Sequence, residues 1–388
     1  MLYFKNTPIE SMIKDIAAPL TALIISFVTV LLLHPQLVKY ALRKDIVDKP
    51  NARRLNRIPI PVLGGVGVFA GFTTAFCASG AIYGIGISLA SLAAIILMLG
   101  IGLIDDIKDL SPKTKFIAQI AAIAILIFCC DLKIDNLHGI FGVHEIPDYL
   151  SIPFTIFACV GLINAINLID GIDGLSSGYG IAAGVLFCLY GYAHGNSLNT
   201  LIATAMIGAL IPFFVYNVFG TKNKMFIGDA GSHFLGIIFC LLTLNTIDTS
   251  TSAGGTMAES GFIAFCLAVM AHPVMDTLRV MTMRICNGNS PFKADKTHLH
   301  HAIINCGLSH LKTTLLIITL NLVVVGVWYA TYATGQSATI QFVTTLFAAV
   351  TAIIMPYFII VKVQKAHPEL LEKSQAKANA KIEKRQTA

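Results

Sequence analysis

Hydrophobic runs long enough to cross a membrane recur along the whole chain, separated by shorter polar segments. A helix of about 20 apolar residues spans a hydrocarbon core of about 30 Å. Eleven runs approach this length, so the pattern predicts an all-α, polytopic bundle of about eleven transmembrane helices. The predicted spans lie near residues 16–38, 61–82, 84–104, 116–133, 151–169, 175–194, 199–219, 233–250, 260–281, 313–334 and 338–361.

Composition agrees with a membrane protein, because 55% of the 388 residues are hydrophobic and only 12% are charged. A soluble globular domain carries about 25% charged residues. The net charge of +6 is too small to indicate a nucleic-acid partner. The nine cysteines lie mostly in apolar runs and form no CxxC pair, which favours small helix residues over the alternatives of zinc ligands or disulfides.

The basic residues alternate between loops and thereby predict an orientation. Of 27 Lys and Arg residues, 24 fall in alternate loops and the C-terminal tail, and only Lys5, Lys14 and Lys133 fall on the other side. The positive-inside rule places the N-terminus outside and the C-terminus in the cytoplasm. The expected organisation is one integral-membrane domain, 1–361, followed by a basic cytoplasmic tail, 362–388.

The cytoplasmic loops also contain every unusual polar cluster, the first of which is the pair Asp105 and Asp106 at the end of the third span. Ionisable residues at membrane depth usually mark function. Adjacent carboxylates repel each other, so a cation is expected nearby. Two candidates are a lysine, such as Lys113 or Lys115, and Mg²⁺, which takes one or two carboxylates plus substrate phosphates.

Two further clusters have regular spacing. Asn164, Asn167, Asp170 and Asp173 recur every three residues at the end of the fifth span, and on a helix adjacent members would share a face. The DGIDG stretch lacks the later Gly and Glu of a calcium loop, so an EF-hand is rejected. Gly-Asp-Ala-Gly-Ser, 228–232, opens the eighth span, where backbone N–H groups can face an anion.

The fourth cluster contains His298, His300 and His301, in a basic loop with Arg284. The histidine spacing is not the i, i+4 pair of a helical zinc site. Recognition of phosphate or sugar suits this mixture of side chains better.

Taken together, DDxxD at 105–109, NxxNxxDGxDGL at 164–175, GDxGS at 228–232 and HxHH at 298–301 resemble the polyprenyl-phosphate N-acetylhexosamine-1-phosphate transferases. The similarity extends from about Asp48 to His301 and includes DKPNARR at 48–54 and PVLGG at 61–65. The last motif resembles the bacterial lipid-carrier enzymes that use UDP-N-acetylglucosamine or a related sugar.

The resemblance implies roles for individual residues. Asp105 and Asp106 correspond to the catalytic pair, and Asp229, Asn167 and Asp173 to positions that hold Mg²⁺, with Mn²⁺ as a substitute. Asn217 and Phe226 correspond to the uracil site, and Arg284 and the histidines to the sugar-diphosphate loop. The substrate-binding positions implied by the motifs are Asp48, Lys113, Lys115, Asn164, Asp170, Asn217, Phe226, Arg284, His298, His300 and His301.

The reaction implied by the resemblance transfers a sugar-1-phosphate, expected to be GlcNAc-1-phosphate, from a UDP-sugar to polyprenyl phosphate and releases UMP. The expected location is a bacterial cytoplasmic membrane, with the site facing the cytoplasm and a homodimer as a candidate assembly. Two alternatives stay open at this point: phospho-N-acetylmuramoyl-pentapeptide translocase, from the same superfamily, and a secondary transporter. A transporter would place polar residues near the bilayer midplane in two related halves.

Overall fold

A computed structural model describes residues 8–48, 59–248, 261–291 and 297–369. In these ranges the chain is almost entirely helical, with two small antiparallel strand pairs, β1 (Val47–Asp48) with β2 (Ile60–Pro61) and β3 (Asn136–Ile140) with β4 (Val143–Glu145). The helices are α1 (Pro8–Arg43), α2 (Gly64–Tyr83), α3 (Leu89–Lys108), α4 (Pro112–Cys130), α5 (Asp148–Leu168), α6 (Leu175–Ala193), α7 (Ser197–Phe219), α8 (Gly228–Asp248), α9 (Phe262–Val269), α10 (Ala271–Cys286), α11 (Leu299–Asn305), α12 (His310–Ala333), α13 (Ala338–Ala349) and α14 (Met355–Ala366).

The predicted helical membrane bundle is confirmed. Ten continuous helical segments in the described ranges are long and apolar enough to span a membrane, and α9 with α10 makes an eleventh when this bent pair counts as one span. The last span joins α13 to α14 through a π-helical turn, Val350–Ile354. The predicted orientation of the termini stays a prediction.

The ninth span differs from the continuous helix predicted over 260–281. The helix breaks at Met270, and α9 and α10 meet at a bend of 71°. Asn321 of α12 stabilises the break, because its Oδ1 accepts from the His272 N–H at 2.9 Å and its Nδ2 donates to the Val269 carbonyl at 3.2 Å. Unpaired backbone groups are costly at membrane depth, so a break of this kind needs such a partner.

The chain divides into two compact units, and the first comprises the described residues within 1–135, 146–170 and 176–254. Its helices α1, α2 and α7 pack together, while α8 packs against α2, α3 and α5 and is buried along most of its length. Small residues allow these contacts: a side chain at Gly102 of α3 would meet the Asp229 carbonyl oxygen and the backbone of Ala230.

The second unit comprises the described residues within 136–145, 171–175 and 255–388, and therefore contains the β3–β4 hairpin and α9 to α14. The hairpin, which the sequence analysis did not predict, is held to α13 by a hydrogen bond from the Phe141 N–H to Thr339 Oγ1 at 2.7 Å. The predicted single domain, 1–361, stays a prediction. The predicted tail lies outside the described residues beyond 369.

Candidate active site

Asp105 lies in the last turn of α3 and is almost fully buried. The loop of three residues between α3 and α4 brings Lys115, one turn into α4, back to this carboxylate, with Nζ 2.7 Å from Oδ2. The Leu110 N–H donates to Oδ1 at 2.6 Å. Asp105 is thus fixed by one ammonium and one amide, so its buried charge is compensated within the site.

Asp106 has different partners, although it is the next residue along the helix. Its Oδ1 accepts from the Asp229 N–H at 2.8 Å and its Oδ2 from the Ala230 N–H at 3.0 Å. These amides belong to the first turn of α8, where backbone N–H groups have no intrahelical partner and a carboxylate is electrostatically favoured. Gly228 precedes them with a left-handed φ of 72°, and a side chain there would meet the Asp106 carboxylate. Asp106 therefore caps α8 from α3.

Asp229 is the point at which α3, α5 and α8 converge. Asn167 Nδ2 donates to Asp229 Oδ1 at 2.6 Å and to Ser232 Oγ at 2.7 Å. The carboxyl groups of Asp105 and Asp229 also lie close enough to interact with each other. Two carboxylates this close require a shared proton or a cation between them.

These groups fit Mg²⁺ chemistry, because two converging carboxylates offer the hard oxygen donors that this ion prefers. Within the described part of the chain, no group of three or more His, Cys, Asp or Glu side chains is arranged to hold a metal alone. Phosphate oxygens of a substrate would complete the coordination, as Mg²⁺ sites commonly require. Of the predicted metal positions, Asp229 is the one best supported by this arrangement, because its carboxylate lies beside that of Asp105. Asn167 presents its amide nitrogen to Asp229, and its role as a ligand stays a prediction.

A buried polar network lies behind Asp229. Its links are Asn164 Nδ2 to Gln119 Oε1 at 2.8 Å, Gln119 Nε2 to His233 Nε2 at 3.4 Å, and His233 Nδ1 to the Asp229 carbonyl at 2.8 Å. The pattern is consistent with a neutral His233 that donates through Nδ1 and accepts at Nε2. The network joins α4, α5 and α8 and supports the backbone of Asp229. Asn164, predicted as a substrate contact, is one of its members.

The sequence pattern suggested that the four regularly spaced residues at the end of α5 lie on one helix, but the structure differs. The helix ends at Leu168, so Asp170 and Asp173 lie in the following turn, where Gly174 takes a left-handed φ of 81°. Asp170 accepts from Ser176 Oγ at 2.5 Å in the first unit. Asp173 belongs to the second unit, where its Oδ2 lies 2.9 Å from His310 Nδ1.

The predicted uracil residues lie in the last turn of α7 (Asn217) and in the loop between α7 and α8 (Phe226). Phe226 is held by backbone hydrogen bonds to the PVLGG segment, from its N–H to the Pro61 carbonyl and from the Gly64 N–H to its own carbonyl. Asn217 Nδ2 donates to the Met225 carbonyl at 2.9 Å. The loop is therefore well braced, with the half-buried Phe226 ring 6.0 Å from Lys224 Nζ. Whether uracil binds here stays a prediction.

The remaining predicted positions lie in separate surroundings. Asp48 pairs with Ile60 in the β1–β2 ladder, and residues 49–54 of its motif lie outside the described residues. Lys113 is exposed on the first turn of α4. Arg284 is buried and donates to the Pro291 carbonyl at 2.6 Å. His298, His300 and His301 lie at the start of α11 in the second unit, with His298 and His300 buried.

Sequence reasoning missed several polar residues that organise these surroundings, namely the buried Gln119, His233, Asp276 and Arg279 and the partly buried His310. A signal for two of them was present, because Asp276 and Arg279 lie three residues apart inside a predicted membrane span, where ionisable side chains are costly. The others form contacts between residues far apart in the chain, which no local pattern indicates.

The fold and the site together define a polytopic, helical membrane protein with a buried acidic site at the start of α8. Residues 88–247 match glycosyl transferase family 4. The chain is 30% identical over 309 residues to the probable undecaprenyl-phosphate N-acetylglucosaminyl 1-phosphate transferase of Bacillus subtilis, covering 79% of this chain and 82% of the relative. It is 32% identical over 295 residues to the undecaprenyl-phosphate alpha-N-acetylglucosaminyl 1-phosphate transferase of Salmonella typhi, covering 74% and 77%.

A third relative is the decaprenyl-phosphate N-acetylglucosaminephosphotransferase of Mycobacterium tuberculosis, 29% identical over 332 residues, with 78% of each chain covered. The chain belongs to glycosyl transferase family 4, in the group of polyprenyl-phosphate N-acetylhexosamine-1-phosphate transferases. The resemblance predicted from the four motifs is thereby confirmed.

Proposed function

We propose that this protein transfers N-acetylglucosamine-1-phosphate from UDP-N-acetylglucosamine to a polyprenyl phosphate, with undecaprenyl phosphate as the expected acceptor, and releases UMP. The relatives are named as N-acetylglucosaminyl 1-phosphate transferases or an N-acetylglucosaminephosphotransferase with undecaprenyl or decaprenyl phosphate. The reaction is the first membrane step in building a surface glycopolymer, such as a lipopolysaccharide or teichoic-acid linkage unit.

The observation that supports this function best is the convergence of Asp105, Lys115 and Asp229 around the capped first turn of α8. Phosphoryl transfer depends mainly on positioning and on balancing charge around an in-line displacement. Lys115 supplies a positive charge beside Asp105, while Asp106 and Asn167 hold Asp229 in place.

Mg²⁺, held by Asp229 with Asp105 beside it, would neutralise charge on the leaving phosphate. Asp105 is suited to position the acceptor phosphate or to take its remaining proton. Because the second pKa of a phosphate monoester is about 6, the acceptor is largely a dianion at neutral pH and needs little help from a base. We therefore favour direct attack by the acceptor over a covalent aspartyl-phosphate.

The proposed site faces the cytoplasm of a bacterial inner membrane, because the basic residues cluster in the loops that carry the four motifs. A homodimer is the proposed assembly. The translocase alternative is less favoured, since the relatives above are named for N-acetylglucosamine. A transporter is disfavoured by Asp105, Asp106 and Asp229 lying at helix ends.

The test is an assay of purified protein with undecaprenyl phosphate and a panel of UDP-sugars, with and without Mg²⁺. UMP release should be greatest with UDP-N-acetylglucosamine, should stop in excess EDTA, and should return when Mg²⁺ or Mn²⁺ is restored. Asp229→Asn should raise the Mg²⁺ concentration needed for half-maximal rate, because an amide is a poorer ligand for a hard cation. Full turnover in EDTA would contradict the metal assignment.

A further inference from the structure

The start of α11 is held by two buried, charged residues of α10 that belong to none of the four motifs. Asp276 and Arg279 lie three residues apart, with Arg279 Nη2 2.6 Å from Asp276 Oδ1. Their side chains are 0% and 2% exposed. Arg279 also stacks over the ring of Tyr357 in α14, with the guanidinium carbon 3.5 Å from the ring centroid. Burying such an ion pair is costly unless its remaining donors and acceptors also form hydrogen bonds.

Apart from a contact of Arg279 Nη1 with Met283 Sδ at 3.4 Å, the remaining hydrogen bonds of this pair reach three consecutive residues at the entry to α11. Arg279 Nη2 donates to the Thr297 carbonyl at 2.7 Å. Asp276 Oδ2 lies 2.8 Å from His298 Nδ1, and the Leu299 N–H donates to the Asp276 carboxylate at 3.2 and 3.3 Å. The pair therefore fixes both the backbone and one ring orientation at the HxHH motif.

This contact decides which nitrogen of His298 carries a proton. A carboxylate oxygen can only accept, so the ring nitrogen beside it, Nδ1, must donate. The other nitrogen, Nε2, then points away from Asp276 and has no hydrogen-bond partner among the described residues, although His298 is 4% exposed. A buried polar atom without a partner calls for an explanation, and a bound ligand is one.

We propose that Asp276 and Arg279 are positioning residues that hold His298 so that its Nδ1–H donates to the Asp276 carboxylate and its Nε2 meets a phosphate oxygen of the nucleotide-sugar donor. The inference rests on the proposed transferase activity. In the protonated imidazole, Nε2–H donates to that oxygen while Asp276 balances the added charge. An acidic partner that orients a histidine in this way is a common support for functional imidazoles.

Other charged and titratable groups lie around His298 and form its electrostatic surroundings. The His300 ring is stacked on the His298 ring, with centroids 5.6 Å apart and planes 14° apart. A side chain at Gly171 would meet the His300 ring, so the space on that side is filled. Among the described residues, the ionisable groups that interact within this cluster include Asp276, Arg279, His272, His300 and His301.

The test is Asp276→Asn, which retains an oxygen that accepts from Nδ1 but removes the negative charge. UMP release from UDP-N-acetylglucosamine is measured from pH 6 to 9. The variant should lose kcat by about 10- to 100-fold, the usual range for loss of such a supporting partner. The alkaline limb of kcat should also move to lower pH, because the protonated imidazole has lost its balancing charge. A merely structural role would scale the rate equally at every pH.

The matched control is Gln364→Met. Gln364 of α14 also anchors α11, since its Nε2 donates to the Ala302 carbonyl at 2.9 Å, but no described hydrogen bond joins it to His298. This variant should keep the wild-type position of the alkaline limb whatever its overall rate. Thermal unfolding in detergent reports whether each variant is folded.

If Asp276→Asn fails to fold, His298→Gln carries the test, because it leaves the Asp276–Arg279 pair in place. Its rate should be low and should lack the alkaline limb assigned to His298. This inference alone would be overturned if the wild type is active and the folded Asp276→Asn variant keeps the wild-type alkaline limb. If Asp276→Asn does not fold, an unchanged alkaline limb in His298→Gln would have the same consequence. A wild type that releases no UMP at any pH would overturn the proposed function as well.

Discussion

Neighbouring carboxylates in this site have distinct surroundings because successive helix residues point about 100° apart. Asp105 faces Lys115, whereas Asp106 accepts two backbone N–H groups of α8. The sequence predicted that both residues belong to a functional cluster, but it gave no means of separating them. Their partners lie on other helices, so the separation needs the packed structure. We interpret Asp105 as the residue nearer the chemistry and Asp106 as the support for Asp229.

We predict that Asp105→Asn lowers turnover by roughly 10²-fold, mainly because the acceptor phosphate loses a group that positions it for attack. Part of the loss should be recovered between pH 6 and 8.5, because a fully ionised acceptor phosphate needs no base. The measurement is kcat against pH with saturating substrates.

The control is Asp109→Asn in the same DDxxD motif. Asp109 is exposed and has a left-handed φ of 49°, a conformation that asparagine tolerates well, so its rate should stay near wild type. A pH-insensitive Asp105→Asn, together with a trapped phosphoaspartate in the wild type, would refute direct attack by the acceptor.

A second prediction at the residue scale concerns acid stability. Burial, followed by the charges of His301 and His298, lowers the pKa of His300 well below its ordinary value. The unfolded chain therefore binds a proton at this residue more readily, so stability should fall as the pH drops below about 6.5, the ordinary histidine value.

His300→Gln removes the titrating group and should reduce this loss. The measurement is the unfolding temperature at pH 7.5 and 5.5 for both proteins in detergent. An equal decrease in wild type and variant would contradict the assignment to His300.

At the scale of elements, hydropathy predicted the helices well because lipid requires long apolar segments. The predicted span 175–194, for example, corresponds to α6, Leu175–Ala193. The break in the ninth span could not be predicted, because the side chain that stabilises it, Asn321, lies about fifty residues later in the chain. The Gln119–His233 contact could not be predicted for the same reason, since 114 positions separate the two residues.

The close approach of α3 and α8 gives a prediction for this scale. Gly102→Ala should push the two helices apart, because the new methyl group would meet the Asp229 carbonyl oxygen and the Ala230 backbone. The expected cost is about 1–3 kcal/mol of stability, as for other overpacked sites, with a fall in activity because Asp229 moves. Unfolding temperature and UMP release are the two measurements.

Gly100→Ala is the matched control on the same helix, because a side chain at Gly100 would have nothing within 4 Å. Alanine also has the better helix propensity, so this variant should be as stable as wild type. Equal behaviour of the Gly102 and Gly100 variants would show that the predicted steric contact does not matter.

For the whole molecule, the distribution of 24 of 27 basic residues predicts the orientation, and labelling can test it. A cysteine at Asn289 should react with an impermeant maleimide only from the cytoplasm, and one at Glu145 in the β3–β4 hairpin only from outside. The native exposed cysteines must first be replaced by serine; those described are Cys77, Cys129, Cys286 and Cys306. Labelling of both positions from the same side would contradict the orientation.

The central claim is that a sugar-1-phosphate, rather than a sugar alone, passes to the lipid. The most direct test is to identify the nucleotide product when purified protein, undecaprenyl phosphate, UDP-N-acetylglucosamine and Mg²⁺ are incubated together. We expect UMP and a lipid carrying a diphosphate-linked N-acetylglucosamine in equal amounts by mass spectrometry, because the bond that breaks lies between the two phosphates of the donor. Formation of UDP with a monophosphate-linked sugar on the lipid would contradict the account.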